Sequence, residues 1–120
     1  MQLEAGYLRS IGREADACME KFQPYTNPSF NLAEFAVVLR IPVHHLSYYF
    51  REVKKQSFTD YRNEWRINHA KALIKEGKAN EMTLEAIGLL SGFNNRNTFF
   101  NAFKKIEGIS PSAFVNQFSI

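Results

Sequence analysis

The chain has 120 residues, of which 45 % are hydrophobic and 22 % charged, and its formal net charge is +3. This length suits one domain, or two very small subdomains that share a core. The single cysteine, Cys18, excludes an internal disulfide and a cysteine metal cluster. No apolar run is long enough for a membrane span and the N-terminus does not resemble a signal peptide, so we expect a soluble, cytoplasmic chain. A longer protein with a membrane-spanning sensor is an alternative that the sequence leaves open.

Positive charge is concentrated after the first quarter of the chain. Residues 1–31 carry three Lys or Arg against four Asp or Glu, a net of −1, whereas residues 32–120 carry twelve against eight, a net of +4. A bias of this size fits nucleic-acid binding. It is about as typical of a slightly basic soluble protein, so charge alone does not decide the function.

Helical spacing of apolar residues recurs along the chain, and no segment shows the sustained alternation of a strand. The first helix is predicted from about Leu8 to Phe22, before the stretch QPYTNPSF with its two prolines. Residues that typically cap or end helices then mark six more helices. The predicted starts are Asn31, Pro42, Ser57, Thr83, Asn94 or Asn95, and Ser110, and the predicted breaks are Ile41, Gly77, Gly92 and Gly108.

The helix predicted from Phe58 to about Glu76 is apolar on two sides. Phe58, Tyr61 and Trp65 form one stripe, and a second stripe runs from Ile67 through Ala70 to Ile74. A helix with two apolar stripes is buried from two directions. We therefore interpret it as a connector between two small helical bundles.

Two segments of the chain resemble each other. LAEFAVVLRI at 32–41 aligns with LEAIGLLSGF at 84–93, and LSYYFREVKKQS at 46–57 aligns with FFNAFKKIEGIS at 99–110. Each copy predicts a short helix, a tight turn and a longer helix, with a small residue (Ala36 or Gly88) where the helices cross. This is the pattern of a helix-turn-helix. A simple helical bundle, in which any two amphipathic helices look partly alike, is the alternative.

The predicted fold is all-α, with about seven helices and two helix-turn-helix subdomains joined by a long central helix. The predicted divisions are an N-terminal helix and loop at 1–30, a first helix-turn-helix at 31–56, a connector helix at 57–77, and a second helix-turn-helix with a terminal helix at 78–120.

The stretch SGFNNRNTFFNAFKKIEGISP, at 91–111, carries the most specific motifs: GF, N-R-x-T-F, A-F-K-K, a glycine and S-P in this order. HHLS at 44–47 and R-I-N-x-A-K-x-L-I at 66–74 support them. Together these motifs resemble the DNA-binding domain of AraC-type (AraC/XylS) transcription regulators, over about residues 20–118. The resemblance implies two helix-turn-helix subdomains bridged by a long helix. It also implies the output domain of a larger, sensor-linked regulator, with a stand-alone regulator as the alternative.

A recognition helix buries one side against its own subdomain and presents the other to base edges in the major groove. Helical spacing predicts one set of inward residues in each copy. These are Leu46, Tyr49, Phe50 and Val53 in the first, and Phe99, Ala102, Phe103 and Ile106 in the second. The resemblance places base contacts at outward positions, namely His44, Ser47, Tyr48, Arg96, Asn97, Phe100 and Asn101. Candidate phosphate contacts are Arg51, Lys54, Lys55, Lys104 and Lys105, each of which is otherwise an ordinary solvated side chain.

The chain departs from the family pattern at several positions, most of them in the first copy. Members often carry arginine at the positions of Tyr48 and Asn101, and commonly glycine at those of Arg40 and Lys55. Pro42 stands where a serine cap is usual. We therefore expect the first subdomain to contact mainly the DNA backbone, or to read a different base sequence.

The implied partners are double-stranded DNA, a sensory domain in the full-length chain and a second copy as dimer partner, with no cofactor. A helical protein-interaction module that has lost specific DNA readout is the second hypothesis, because neither Tyr48 nor Asn101 is basic. An enzyme is not expected, since the sequence has no nucleophile and base pattern and no phosphate-binding glycine loop. His44 and His45 do not predict a metal site, because adjacent helical residues diverge by about 100° and no third ligand is evident.

Overall fold

The computed structural model describes residues 1–118, and within this range the chain is helical and contains no strand. The helices are α1 (Ala5–Phe22), α2 (Leu32–Leu39), α3 (Val43–Tyr49), α4 (Phe58–Lys75), α5 (Leu84–Leu90), α6 (Arg96–Glu107) and α7 (Pro111–Asn116). A π-helical segment, Phe50–Lys54, continues α3, and short 3-10 turns lie at Pro24–Thr26 and Lys78–Asn80. The predicted fold class is confirmed. None of the described helices combines the length and the apolar character that crossing a membrane requires.

The chain divides into two compact units. The first comprises Met1–Pro24 and Ser29–Tyr61, and the second comprises Tyr25–Pro28 and the chain from Arg62 onward. The division falls inside α4, so its first turn belongs to the first unit and the rest to the second.

Five helices begin with a side-chain cap that the sequence predicts. The capping residues are Asn31, Ser57, Thr83, Asn95 and Ser110, each accepting the backbone N–H three residues on, at 2.8–3.1 Å. Each cap satisfies an N–H group that has no partner within its helix. Of the two candidates for α6, Asn95 is the cap. Pro42 precedes α3, and its carbonyl oxygen accepts the N–H groups of His45 and Leu46.

The core of the first unit combines aromatic and aliphatic side chains. Phe35 of α2 and Leu46 of α3 are fully buried, together with Ile11 and Met19 of α1. The Phe30 and Phe35 ring centroids lie 5.3 Å apart, which is the contact of a hydrophobic staple across the start of α2.

The core of the second unit gathers the second stripe of α4 and the phenylalanines of the C-terminal half. Phe93, Phe99 and Phe103 are fully buried there. Gly88 of α5 allows a close approach, because a Cβ at this position would lie 2.6 Å from the Phe99 ring. The small residue predicted at the crossing of α5 and α6 is thus explained by contact with that ring.

A buried arginine anchors the short segment Tyr25–Pro28 to the second unit. Arg66 is 3 % exposed, and its guanidinium donates to the carbonyl oxygens of Tyr25 at 2.7 Å and Asn27 at 3.0 Å. Burial, with a smaller effect from Arg62, lowers the pKa of Arg66 to about 10. The group stays cationic at neutral pH, and the carbonyl oxygens compensate for its lost hydration.

The internal repeat is visible in the backbone. The turn after α2 is closed by Ile41 N donating to Ala36 O at 3.1 Å, and the turn after α5 by Phe93 N donating to Gly88 O at 3.0 Å. Arg40 takes a left-handed conformation with φ 59°, at the position where the second copy has Gly92. Lys55, which corresponds to Gly108, does the same with φ 54°. The first copy therefore keeps the turn geometry although it lacks both glycines.

Candidate nucleic-acid interface

In the first unit, α3 presents one buried and one open side. Leu46, Tyr49 and Phe50 are buried, as predicted. On the opposite side, His44 and Arg51 are exposed, and Ser47 and Tyr48 are half-buried. Helical phase alone therefore identifies the side of α3 that remains accessible.

The inward orientation predicted for Val53 is wrong, since 48 % of this residue is exposed. The reason is the π-helical segment Phe50–Lys54, in which each turn takes up more residues than in an α-helix. Three residues beyond Phe50, the chain has therefore rotated less than an α-helix would. Val53 leaves the stripe formed by Leu46 and Phe50 and reaches solvent.

His45 connects the first unit's α3 to α1. It is half-buried, and its Nδ1 lies 2.8 Å from the hydroxyl of Tyr7 on α1. The imidazole rings of His44 and His45 meet edge to face, with centroids 4.6 Å apart. No group of three or more His, Cys, Asp or Glu side chains within residues 1–118 is placed to hold a metal ion.

The cations at the C-terminal end of the candidate first recognition helix, which is α3 with the π-helical segment Phe50–Lys54, are partly compensated. Arg51 Nε lies 3.1 Å from Glu52 Oε1, and Lys55 Nζ lies 3.9 Å from Glu52 Oε2. Lys54 Nζ lies 5.6 Å from the centre of the Tyr61 ring. Exposed ion pairs of this kind contribute about 0–1 kcal/mol to stability, so a stronger anion could take the place of the Glu52 carboxylate.

A groove of about 540 Å³ lies beside the open side of α3. Ser47, Arg51 and Lys55 line one part of it, and Ser57 and Phe58 at the start of α4 line another. Two cationic side chains and polar hydroxyl groups can accept a phosphate-rich ligand.

In the second unit, α6 has the cleaner amphipathic division. Phe99 and Phe103 are fully buried and Ala102 is 9 % exposed, as predicted. The outward side chains Arg96, Asn97, Asn101, Lys104 and Lys105 are exposed. Asparagine and arginine are the side chains that bond adenine and guanine on two atoms each.

Phe100 is less exposed than the sequence predicts. It is half-buried, its ring meets Phe99 edge to face at 5.7 Å, and it packs against the core of the second unit. The guanidinium of Arg96 lies 3.9 Å from the centre of its ring. Arg96 is one helical turn before Phe100, so this cation–π contact holds the guanidinium close to the open side of α6.

Three features of the structure were not predicted from the sequence. They are the Tyr7 contact with His45, the stacking of Arg96 on Phe100, and the π-helical turn. Only the i, i+4 spacing of Arg96 and Phe100 left a local signal. The Tyr7 contact with His45 depends on packing between helices.

The helix-turn-helix domain family model matches residues 35–117 of the chain. The arabinose operon regulatory protein of Salmonella typhimurium is 30 % identical over 102 residues, which cover 85 % of this chain and 35 % of that protein. The HTH-type transcriptional activator RhaR of Yersinia pestis is 25 % identical over 115 residues, or 96 % of this chain and 39 % of that protein. The chain belongs to the AraC-type helix-turn-helix family of transcription regulators.

Solved structures share the fold. An AraC-type transcriptional regulator from Chromobacterium violaceum matches with a TM-score of 0.76 and 20 % identity, over 97 % of both chains. The C-terminal domain of AraT, a response regulator from Geobacillus stearothermophilus, matches with a TM-score of 0.72 and 21 % identity. It covers 100 % of this chain and 91 % of that one. This chain spans little more than a third of the length of the curated relatives it matches, which are regulators rather than enzymes.

Proposed function

We propose that this chain binds double-stranded DNA sequence-specifically and serves as the output domain of a transcription regulator. The observation that carries the proposal is the open side of α6, where Arg96, Asn97 and Asn101 are exposed on a helix whose other side is buried. A helix of this kind can enter the major groove while the rest of its unit stays folded. Membership of the AraC-type family supports the same assignment.

In this proposal α6 provides the stronger base readout. Arg96 can donate two hydrogen bonds to guanine, and Asn97 or Asn101 can bond adenine on two atoms. Because the Phe100 ring already restrains the Arg96 guanidinium, binding costs less side-chain entropy there. The exposed part of Phe100 can pack on a thymine methyl group.

The first unit contributes weaker base readout through His44, Ser47 and Tyr48, none of which is a lysine or an arginine. Its phosphate contacts are Arg51, Lys54 and Lys55, and those of the second unit are Lys104 and Lys105. Lys104 and Lys105 lie in the last turn of α6, where positive charge also complements the helix dipole.

We further propose that a sensory region in a longer chain controls this domain, that a second copy pairs with it on DNA, and that it acts in the cytoplasm. The relatives support a longer chain, since this sequence covers only 35 % and 39 % of two of them.

A helical protein-interaction module is the second candidate. Val37 and Val38 on α2 are 77 % and 56 % exposed, and Leu89 and Leu90 at the matching positions of α5 are 47 % and 52 % exposed. Exposed apolar side chains of this size favour contact with another protein. One observation argues against this candidate. The outward aromatic side chains Tyr48 and Phe100, which could also contact a protein, are partly covered, since Arg51 lies over Tyr48 and Arg96 lies over Phe100.

The test is selection of bound duplexes from a random pool by the 120-residue chain, followed by titration of the selected duplex and a scrambled duplex. Arg96→Ala and Asn97→Ala should each cost about 1–3 kcal/mol on the selected duplex and relax the preference for one base pair. Lys104→Ala should weaken both duplexes alike and reduce the salt dependence. If no sequence is enriched and no salt-sensitive binding is found, the interaction-module candidate replaces this proposal.

A further inference from the structure

A second groove, of about 350 Å³, lies in the first unit between α1 and the first recognition helix. Arg9, Gly12 and Arg13 line it from α1, and Tyr49 and Val53 line it from the other side. The α1 helix comes close here because position 12 is glycine, and a Cβ there would lie 2.6 Å from the Tyr49 hydroxyl. The groove therefore runs directly beside the helix that is proposed to enter the major groove.

Arg9 and Arg13 are the uncompensated cations of this region. Both are exposed, they lie one turn apart on α1, and neither forms an ion pair with another residue in the range 1–118. Arg51 and Lys55, by contrast, share the carboxylate of Glu52.

The acidic side chain of the groove is engaged elsewhere. Asp16 accepts a hydrogen bond from the Tyr61 hydroxyl at 2.7 Å, which directs one carboxylate oxygen toward the start of α4. The net charge of −1 for residues 1–31 hides this arrangement, because it adds in Glu4, Glu14 and Glu20, which do not line the groove.

We propose that Arg9 and Arg13 contact DNA phosphates beside the bases that face α3, so that α1 forms one edge of the DNA-binding surface. This inference rests on the proposed function. A helix in the major groove has a phosphate backbone on each side of it, and α1 lies against one side of this helix. Residues four apart on a helix are separated by about 6 Å, which lets two long side chains reach neighbouring phosphates of one strand.

Arginine suits this position because its planar guanidinium can bond a phosphate on two atoms. The contact also supplies what the first recognition helix lacks. Its base-facing residues carry no arginine or lysine, so the attraction that anchors this unit to DNA would come in part from α1. Because α1 precedes the matched region 35–117, it would enlarge the interface beyond the family model.

The experiment measures the affinity of the 120-residue chain for its selected duplex as a function of KCl concentration, by fluorescence anisotropy. Arg9→Gln and Arg13→Gln should each make the slope of log K against log salt less negative by about 0.9, the value for one lost phosphate contact. The affinity ratio between the selected and scrambled duplexes should stay unchanged. Lys21→Gln is the matched control, since it removes one exposed charge from α1 outside this groove, and its slope should equal that of the unsubstituted chain.

Ethylation interference locates the contact. Ethylation of one or two phosphates beside the bases that the first unit contacts should weaken binding of the unsubstituted chain. Ethylation of the same phosphates should have no effect on binding of the Arg9→Gln, Arg13→Gln double variant. Unchanged slopes for both arginine variants, or an equal change for Lys21→Gln, would overturn the inference while leaving specific DNA binding intact. An unsubstituted chain that binds no duplex would overturn the proposed function and this inference together.

Discussion

The hydroxyl of Tyr7 lies 2.8 Å from Nδ1 of His45 and joins α1 to the first recognition helix. The two rings also meet edge to face, with centroids 5.5 Å apart. His45 in turn contacts His44, a candidate base-contacting residue. The outward side of α3 is therefore held in place from a helix that lies before the helix-turn-helix in the chain.

Tyr7→Phe should lower the free energy of unfolding by about 0.5–1.5 kcal/mol, because it removes one hydrogen bond and keeps the ring packing. Urea denaturation followed by circular dichroism measures the change. Tyr48→Phe is the control, since the Tyr48 ring contacts Arg51 but its hydroxyl has no hydrogen-bond partner within residues 1–118. Equal stabilities for the two variants would show that the Tyr7 hydroxyl contributes nothing.

Gly88→Ala should destabilise the chain by about 1–3 kcal/mol despite the higher helix propensity of alanine. The added Cβ would lie 2.6 Å from the Phe99 ring, which is fully buried and cannot move without disturbing its neighbours. Thermal and urea denaturation measure the loss. Gly6→Ala on α1 is the contrast, because the atom nearest to its added Cβ would be a carboxylate oxygen of the exposed Glu4 side chain, at 3.3 Å. It should leave stability unchanged or raise it by up to about 1 kcal/mol.

Arg40→Gly should stabilise the first unit. Arg40 has φ 59°, a left-handed conformation that costs a non-glycine residue about 1–2 kcal/mol. Glycine removes that strain but adds chain entropy to the unfolded state, worth about 0.5–1 kcal/mol, so a net gain of roughly 0.5–1 kcal/mol is expected. The reverse change, Gly92→Ala at the matching turn, should be strongly destabilising, because a Cβ there would collide with the carbonyl oxygen of Tyr25. A loss of stability in Arg40→Gly would contradict the strain argument.

Stability should fall as the pH decreases below about 6.5. Burial lowers the pKa of His69 below 6.5, with Glu76 opposing the effect, so the unfolded chain binds more protons than the folded chain between the two pKa values. The stability that neutral His69 contributes is fully present above its pKa in the unfolded chain, about 6.5, and is lost as the pH falls toward its pKa in the folded chain. The Ser91 hydroxyl donates to Ile87 O, which leaves neutral His69 Nδ1 to donate to Ser91 Oγ at 3.0 Å.

Urea midpoints between pH 7.5 and 5.5 measure this dependence. His69→Gln should flatten the curve in that range. A curve that is unchanged in His69→Gln would assign the dependence to another group.

Phe100→Leu should reduce base discrimination without changing the salt dependence of binding. Leucine keeps apolar volume against Phe99 but removes the aromatic face on which Arg96 lies at 3.9 Å. Loss of a cation–π contact worth about 0.5–1 kcal/mol should lower the preference for the selected duplex over its single-base variants by about two- to fivefold. Phe100→Tyr keeps the ring and should retain the preference. Anisotropy titrations against the two duplex sets compare the variants.

Much of the fold could be predicted because its signals are local. The cap at Asn31 and the caps of four other helices depend on residues three positions apart. The buried stripe of Phe99 and Phe103 depends on helical periodicity, and the repeat shows itself in two aligned segments. The motifs at 91–111 were specific enough to indicate the family that the comparison with residues 35–117 then established.

The sequence by itself thus determined which segments are helical, where most of them begin, which sides are apolar and which family the chain belongs to. Only the tertiary structure decided that Val53 reaches solvent, that Arg66 holds the segment at 25–28, and that Arg9 and Arg13 share a groove with the first recognition helix. The physical reason is how far apart along the chain the interacting residues lie. Capping and periodicity arise between neighbours along one helix, whereas Tyr7 with His45 and Arg66 with Tyr25 join residues 38 and 41 positions apart. Such contacts exist only once the helices have packed.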